Sequence, residues 1–182
     1  MTKDNFYILS GGPGGGKTSL LEFLAAKGYT YIQETARQII RERLLNGLSP
    51  RPDPASFAQE MFFKDYNNYI SNANNSAPLF FDRSIVDSAA LLYNADIKAF
   101  NKIKDTHLIH RYNNKVFVTP PWKEIYQTDS ERDQNFDQAI AVYEQVCHWY
   151  TIFEYEIILL PEDTIENRAN FILSYLSDHP NG

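Results

Sequence analysis

The chain has 182 residues and 43% hydrophobic content, close to one ordinary domain and enough to bury a sizeable core. Its 23 acidic and 17 basic side chains give a net charge of -6, which lacks the basic footprint that neutralises a nucleic-acid backbone and argues against such a partner. A lone cysteine, Cys147, excludes an intrachain disulfide, and no apolar run approaches a membrane span or a signal-peptide core, so a soluble cytoplasmic protein without a membrane partner is expected.

Residues 6–9 form a short apolar run that ends in Ser10 and a glycine cluster, and Leu20, Leu21 and Leu24 then fall at helical spacing, which predicts strand, loop, helix. A β-prone run at 30–33 precedes a helical stretch at 34–45 that Asn46-Gly47 stops. Three prolines make 48–56 a loop, 57–70 returns to a helical pattern, and 79–81 is the next strand, ending in Asp82. Helices are expected at 84–93 and 97–110, the latter with Ile97, Phe100 and Ile103 in amphipathic register, then a strand at 116–118. Between about 131 and 153, Phe136, Ile140, Tyr143, Cys147 and Tyr150 recur at steps of four and three and predict the inward stripe of a long helix. A strand at 155–160 follows, and Asp163 with Glu166 signals a last helix whose apolar face is Ile165, Ala169, Ile172 and Leu176. Strands alternating with helices imply an α/β fold of three layers, a mostly parallel five-stranded sheet covered by helices on both sides, built as one domain over 1–182.

The segment Gly11-Gly12-Pro13-Gly14-Gly15-Gly16-Lys17-Thr18 satisfies G-x-x-x-x-G-K-[ST] and stands between a predicted strand and a predicted helix, the context that the phosphate loop of P-loop proteins requires. Its glycines let successive main-chain N–H groups point into one concavity, to which the helix adds its positive end. ATP or GTP with Mg²⁺ is the expected guest: Lys17 neutralises the β- and γ-phosphates, the Thr18 hydroxyl ligates the metal, and Ser19 belongs to the same nucleotide-binding turn.

Ligands of a parallel sheet lie beyond the carboxyl ends of its strands, so the polar residues there are the remaining candidates. Glu34, Arg37, Gln38 and Arg41 share a helical face; Glu34 and Arg37 either meet a substrate's hydroxyl and anionic groups or form intrahelical ion pairs. Asp82 ends an apolar strand as a Walker B carboxylate does, to hold Mg²⁺ or to accept the proton of an attacking hydroxyl, with Arg83 as a clamp; otherwise Asp82 caps the following helix. A lid is expected at about 120–135, where Arg132 stabilises phosphoryl charge or is a solvated surface charge, and Trp122 stacks on a base or packs under the loop. Thr128 and Glu131 read as a capping box. His107 and His110 share a helix face without a zinc-completing cluster, and Cys147 reads as a buried small hydrophobe.

Together GGPGGGKTSL, ETARQII and FFDRSIVDSAALLY resemble the small AAA-like P-loop domains related to ribosylnicotinamide kinases, and ERDQNFDQAIAVYEQVCHWY extends the likeness over nearly the whole chain. The triplet Asp82-Arg83-Ser84 is, more distantly, similar to the strand-end motif of thymidylate and deoxynucleoside kinases. The resemblance implies Asp82 and Arg83 at a phosphoryl-transfer centre, Glu34 on the acceptor side and Arg132 on the lid. It does not extend to ring-forming AAA ATPases, whose sensor arginine and helical lid domain are not expected after the last strand. The expected function is an ATP-dependent phosphotransferase acting on a hydroxyl of a nucleoside-like riboside; a nucleotide-binding switch or slow NTPase is the alternative.

Overall fold

The computed structural model of the protein describes residues 2–126 and 135–177, apart from the side chains of residues 107 and 108. At its centre is β1 (Phe6–Gly11), buried at all six positions. With β2 (Thr30–Ile32), β3 (Leu79–Asp82), β4 (Lys115–Thr119) and β5 (Glu156–Leu159) it forms a five-stranded sheet in the order β2-β3-β1-β4-β5. Every pairing is parallel, so the expected α/β architecture holds, with a sheet parallel throughout.

The strand sequences explain why both faces are covered. Phe6 and Ile8 of β1 point to one core with Phe81, Val116 and Val118, while Tyr7 and Leu9 point to the other with Phe80 and Phe117. Such strands read as continuous apolar runs because neither face meets water. The first face is covered by α3 (Pro54–Ser71), α4 (Ile85–Ala95), α5 (Ile97–Ile103) and α7 (Phe136–Ile152), through Phe62, Val86, Phe100 and Tyr150 among others. The second is covered by α1 (Lys17–Ala26) and α8 (Ile165–Ser177), through Leu20, Leu24, Ala169 and Ile172. Edge-to-face pairs of Tyr69 with Phe6 and Tyr112, at centroid distances of 5.3 and 5.0 Å, lock the first core with the directional preference of aromatic rings. Among the described residues no helix is long and apolar enough to cross a membrane.

Two expectations are corrected. The helix expected over 97–110 is two, because α5 ends at Ile103 and Asp105 takes the N-cap position of α6 (Thr106–Ile109); Phe100 turns inward while Ile97 stays 47% exposed. In α7 Tyr150 is fully buried and Tyr143 and Cys147 pack against the first core as expected, whereas Phe136 and Ile140 are only half-buried and Ala139 is the fully buried residue of the first turns. The glycine loop after β1 crosses the helix at Ala139, so closely that a Cβ on Gly12 would lie 2.6 Å from the Ala139 carbonyl oxygen. That contact draws the inward stripe toward a small residue. Within the described residues α7 starts at Phe136 under an Asn135–Gln138 capping box; the box expected at Thr128 and Glu131 lies outside the described residues.

Candidate active site

The parallel register places the ends of three neighbouring strands side by side. Leu9 pairs with Asp82 of β3 and Phe117 of β4, and Gly11 pairs with Thr119. Whatever follows those residues surrounds one point beyond the sheet.

From β1 comes the glycine loop, which turns into α1 at Gly16, a left-handed N-cap with φ 74° that a Cβ-bearing residue would strain. Lys17 is 8% exposed, and its Nζ donates to the carbonyl oxygens of Gly12 at 2.7 Å and Gly11 at 3.3 Å. Burial and then the Arg83 charge lower its pKa to about 8, against the pull of Asp82, Glu34 and Asp87. Thr18 and Ser19 are exposed in the first turn of α1.

From β2 comes Glu34, at the N-cap position of α2 (Thr35–Leu45), and it does not cap that helix. Its carboxylate instead accepts from Arg83 Nε at 3.0 Å and Arg37 Nε at 3.1 Å. Burial pushes Glu34 up, but Arg83, Lys17 and Arg37 outweigh it and bring the carboxyl down to about 2. Arg37 is thus paired with Glu34.

From β3 come Asp82 and Arg83. Arg83 has φ 71°, a strained conformation for a residue with a side chain, and its N–H donates to Leu9 O at 3.0 Å. Its guanidinium spans Glu34 and, at 3.4 Å, Asp87 Oδ1. Asp82 does not cap α4: Ser84 does, in a capping box with Asp87. Asp82 is 6% exposed, and its Oδ1 is buried without a hydrogen-bond partner among the described residues. Burial and the Glu34 charge raise its carboxyl to about 6, against Lys17, Arg83 and Arg37. A buried carboxylate oxygen with an unused lone pair, beside a phosphate loop and an exposed threonine hydroxyl, fits the donor set that a magnesium-bound nucleotide requires.

From β4 runs the segment that bears on the loop from outside. Thr119 Oγ1 donates to Ser10 O at 3.3 Å, the Tyr126 ring lies against Gly14, and Trp122 is half-buried with the Arg168 guanidinium 5.9 Å from its ring centre. Arg132 and the remainder of the expected lid, 127–134, lie outside the described residues.

A family model described as "AAA domain" matches residues 6–168. The chain belongs to this AAA-domain family. Among curated proteins, none matches its sequence. Among solved structures, deoxyadenosine kinase from M. mycoides with products dCMP and a flexible dCDP bound superposes with a TM-score of 0.67 at 13% identity, covering 96% of this chain and 100% of that one. The same enzyme with bound dATP gives 0.64 at 12% identity, over 97% and 100%. A NadR protein in complex with NR gives 0.72 at 16% identity, over 100% of this chain and 53% of that one, so the AAA-domain chain spans about half of the NadR chain. The likeness read from the motifs is borne out, and at these identities the neighbours establish a nucleoside-kinase-like P-loop fold.

Three polar residues of the AAA-domain site escape the motif reading. Asp87 is a hub: its carboxylate accepts from Ser10 Oγ at 2.6 Å, Ser84 N at 2.9 Å, Arg83 Nη1 and the Tyr150 hydroxyl. The spacing Ser84-x-x-Asp87 is itself a capping-box signal and would have found it. Asp87→Ala leaves a half-buried guanidinium and two buried hydroxyls short of a partner, and is expected to cost about 3 kcal/mol of stability in urea denaturation. A loss close to zero would mean that Arg83 is held by Glu34 alone.

Asp65 of α3 is 7% exposed and accepts from the Thr35 hydroxyl in the first turn of α2. Burial pushes its carboxyl up to about 7, with the Asp87 and Glu34 charges adding and hydrogen bonds from Thr35 and Ser88 opposing. Because the folded value lies above the ordinary 3.8, its contribution to stability is complete below that pH and is lost as pH rises through about 7. Asp65→Asn is therefore expected to melt with wild type near pH 4 and about 3 °C or more above it at pH 8. Equal melting curves at both pH values would show that Asp65 ionises freely. Arg168 of α8 is the third residue; it shares a helix face with Ile172, four positions on, an anomaly visible in the sequence for a charge on an apolar stripe.

Proposed function

We propose that the protein is a single-domain P-loop kinase that transfers the γ-phosphoryl group of ATP, or of GTP, to a hydroxyl of a nucleoside-like riboside. The observation that carries this reading is the unpartnered, buried Asp82 Oδ1, raised to about 6, set between the lysine of the phosphate loop and the Glu34–Arg83 pair. An NTPase that only senses nucleotide has no need of a second, arginine-bracketed carboxylate at the end of β2; an enzyme that orients a hydroxyl acceptor does.

In this reading the loop amides and Lys17 hold the triphosphate oxygens, and Thr18 and Asp82 are the residues that would hold Mg²⁺. When bound, the ion supplies positive charge at the β- and γ-oxygens. Glu34, kept ionised by two arginines, accepts a hydrogen bond from the acceptor hydroxyl and orients it for in-line attack. Asp82 has two alternative roles: it holds the metal with Thr18, or, left off the metal with its pKa near neutral, it takes the hydroxyl proton as the bond to phosphorus forms and the bond to the leaving ADP oxygen breaks. Arg83 steadies Glu34 and faces the acceptor, Arg37 grips an anionic substituent, Trp122 stacks on a base, and Arg132 closes with the lid at 120–135 over the phosphates. The net charge of -6 argues against a nucleic-acid acceptor, and a cytoplasmic setting suits ATP supply.

A panel of nucleosides and vitamin-like ribosides, read as ADP release with Mg²⁺ present, tests the proposal. A kinase consumes ATP far faster with its acceptor than without. If no hydroxyl compound raises turnover above the basal hydrolysis rate, the slow NTPase or switch reading replaces it.

A further inference from the structure

Arg168 is 2% exposed, among the most buried charged residues of the chain. The helix phase that sinks Ala169 and Ile172 into the second core also aims Arg168 at the glycine loop, where its Nη2 donates to Gly15 O at 2.9 Å. Its Nε is buried without a hydrogen-bond partner among the described residues. Glu162 is close enough to be felt but makes no ion pair with it among the described residues. Burying a guanidinium against a neutral carbonyl is unfavourable unless an anion compensates it.

The position of the contact supplies a reason. All described peptide bonds are trans, so the Gly15 carbonyl and the Gly16 N–H of the same planar unit point in opposite directions. The Gly15 carbonyl points at Arg168, so the Gly16 N–H points away from it. Lys17 holds the Gly11 and Gly12 carbonyls from the other end. The loop is fastened at both ends by cations, one in the motif and one 153 residues away from Gly15.

We infer that Arg168 is a positioning residue of the nucleotide site, fixing the Gly15–Gly16 peptide so that its amide faces a bound polyphosphate, whose negative charge in turn compensates the buried guanidinium. The inference rests on the phosphate-loop reading above and goes beyond it by assigning a role to the last helix.

The test uses the whole chain and titration calorimetry with two probes, magnesium tripolyphosphate, which has no base or ribose, and MgATP. Arg168→Met is expected to weaken both by about tenfold or more, the loss of one charge-assisted contact. Arg168→Lys, which keeps charge and donor, is expected to stay within about threefold of wild type. The free protein's melting temperature should not fall in Arg168→Met, since a merely structural arginine would be missed there first. Unchanged tripolyphosphate affinity in Arg168→Met overturns the inference. If that variant fails to fold, Arg168→Gln takes its place with the same expected loss and the same overturning result. If wild type binds neither probe, the phosphate-loop reading fails, and the clamp is then judged in the free protein: a Gly15 carbonyl ¹³C resonance that does not move in Arg168→Met overturns it separately.

Discussion

Lys17→Ala is expected to reduce MgATP-dependent phosphoryl transfer by about a thousandfold or more, the scale on which removing a charge from a transferring phosphoryl group acts. The cation is well placed for this. It is almost wholly buried, so little water screens it, and its pKa of about 8 leaves it protonated at neutral pH. The same burial predicts what the substitution does to the fold. A lysine whose folded pKa lies below its ordinary 10.5 weighs against the folded state below about pH 8, and that weight disappears as pH rises toward 10.5. Removing it therefore offsets part of what is lost with the Gly11 and Gly12 hydrogen bonds, and the free protein should melt within about 3 °C of wild type at pH 7. A nearly inactive but folded variant is the expected pair of results from a coupled ADP assay and a thermal melt. Transfer that survives in Lys17→Ala would show that the phosphates are gripped elsewhere.

The parts legible in the sequence are those set by short-range chemistry. The apolar runs at 6–9, 79–81 and 116–118 mark strands buried on both faces, and the glycine–lysine–threonine order between strand and helix marks the loop, because few other arrangements need those residues together. Asp82 and Arg83 were legible for a related reason, as polar residues at the end of an apolar strand. What was hidden depends on distance in the chain. The Glu34–Arg83 pair joins residues 49 apart, and the Arg168–Gly15 contact joins residues 153 apart; no local pattern encodes either. In α7 the expected stripe holds at Tyr143, Cys147 and Tyr150, but its first turns are shifted for the same cause, since the glycine loop from far away in the chain lies on Ala139, a residue too small to be read as the start of an apolar face. Asp65 carries no motif either: it reads as one more polar residue on α3 until Thr35 and burial make it a near-neutral carboxyl.

The two ionisations closest to neutrality in the catalytic reading, about 6 for Asp82 and about 8 for Lys17, fix the shape of a pH profile. Below about 6 Asp82 holds a proton and cannot take another from the acceptor; above about 8 Lys17 sheds the charge that the phosphates need. The profile of kcat/KM for wild type is expected to be bell-shaped between those limbs. Glu34, down at about 2, and Arg83, raised beyond its ordinary value by Glu34, Asp87 and Asp82 against the effect of burial, keep their charges throughout and shape neither side. Asp82→Asn keeps the volume and removes the proton acceptor, so its rate is expected to fall by about 10²- to 10⁴-fold, the range attributed to a positioned general base. Its residual activity should lose the acid limb and retain the alkaline one, because Lys17 is untouched. An acid limb that persists in Asp82→Asn would assign it to another carboxyl. Asp65, at about 7, is then the group to replace, since it faces Thr35 beside Glu34 and feels the same charges. Were that limb to vanish in Asp65→Asn instead, the proton would be controlled from α3 and Asp82 would be left with the metal alone.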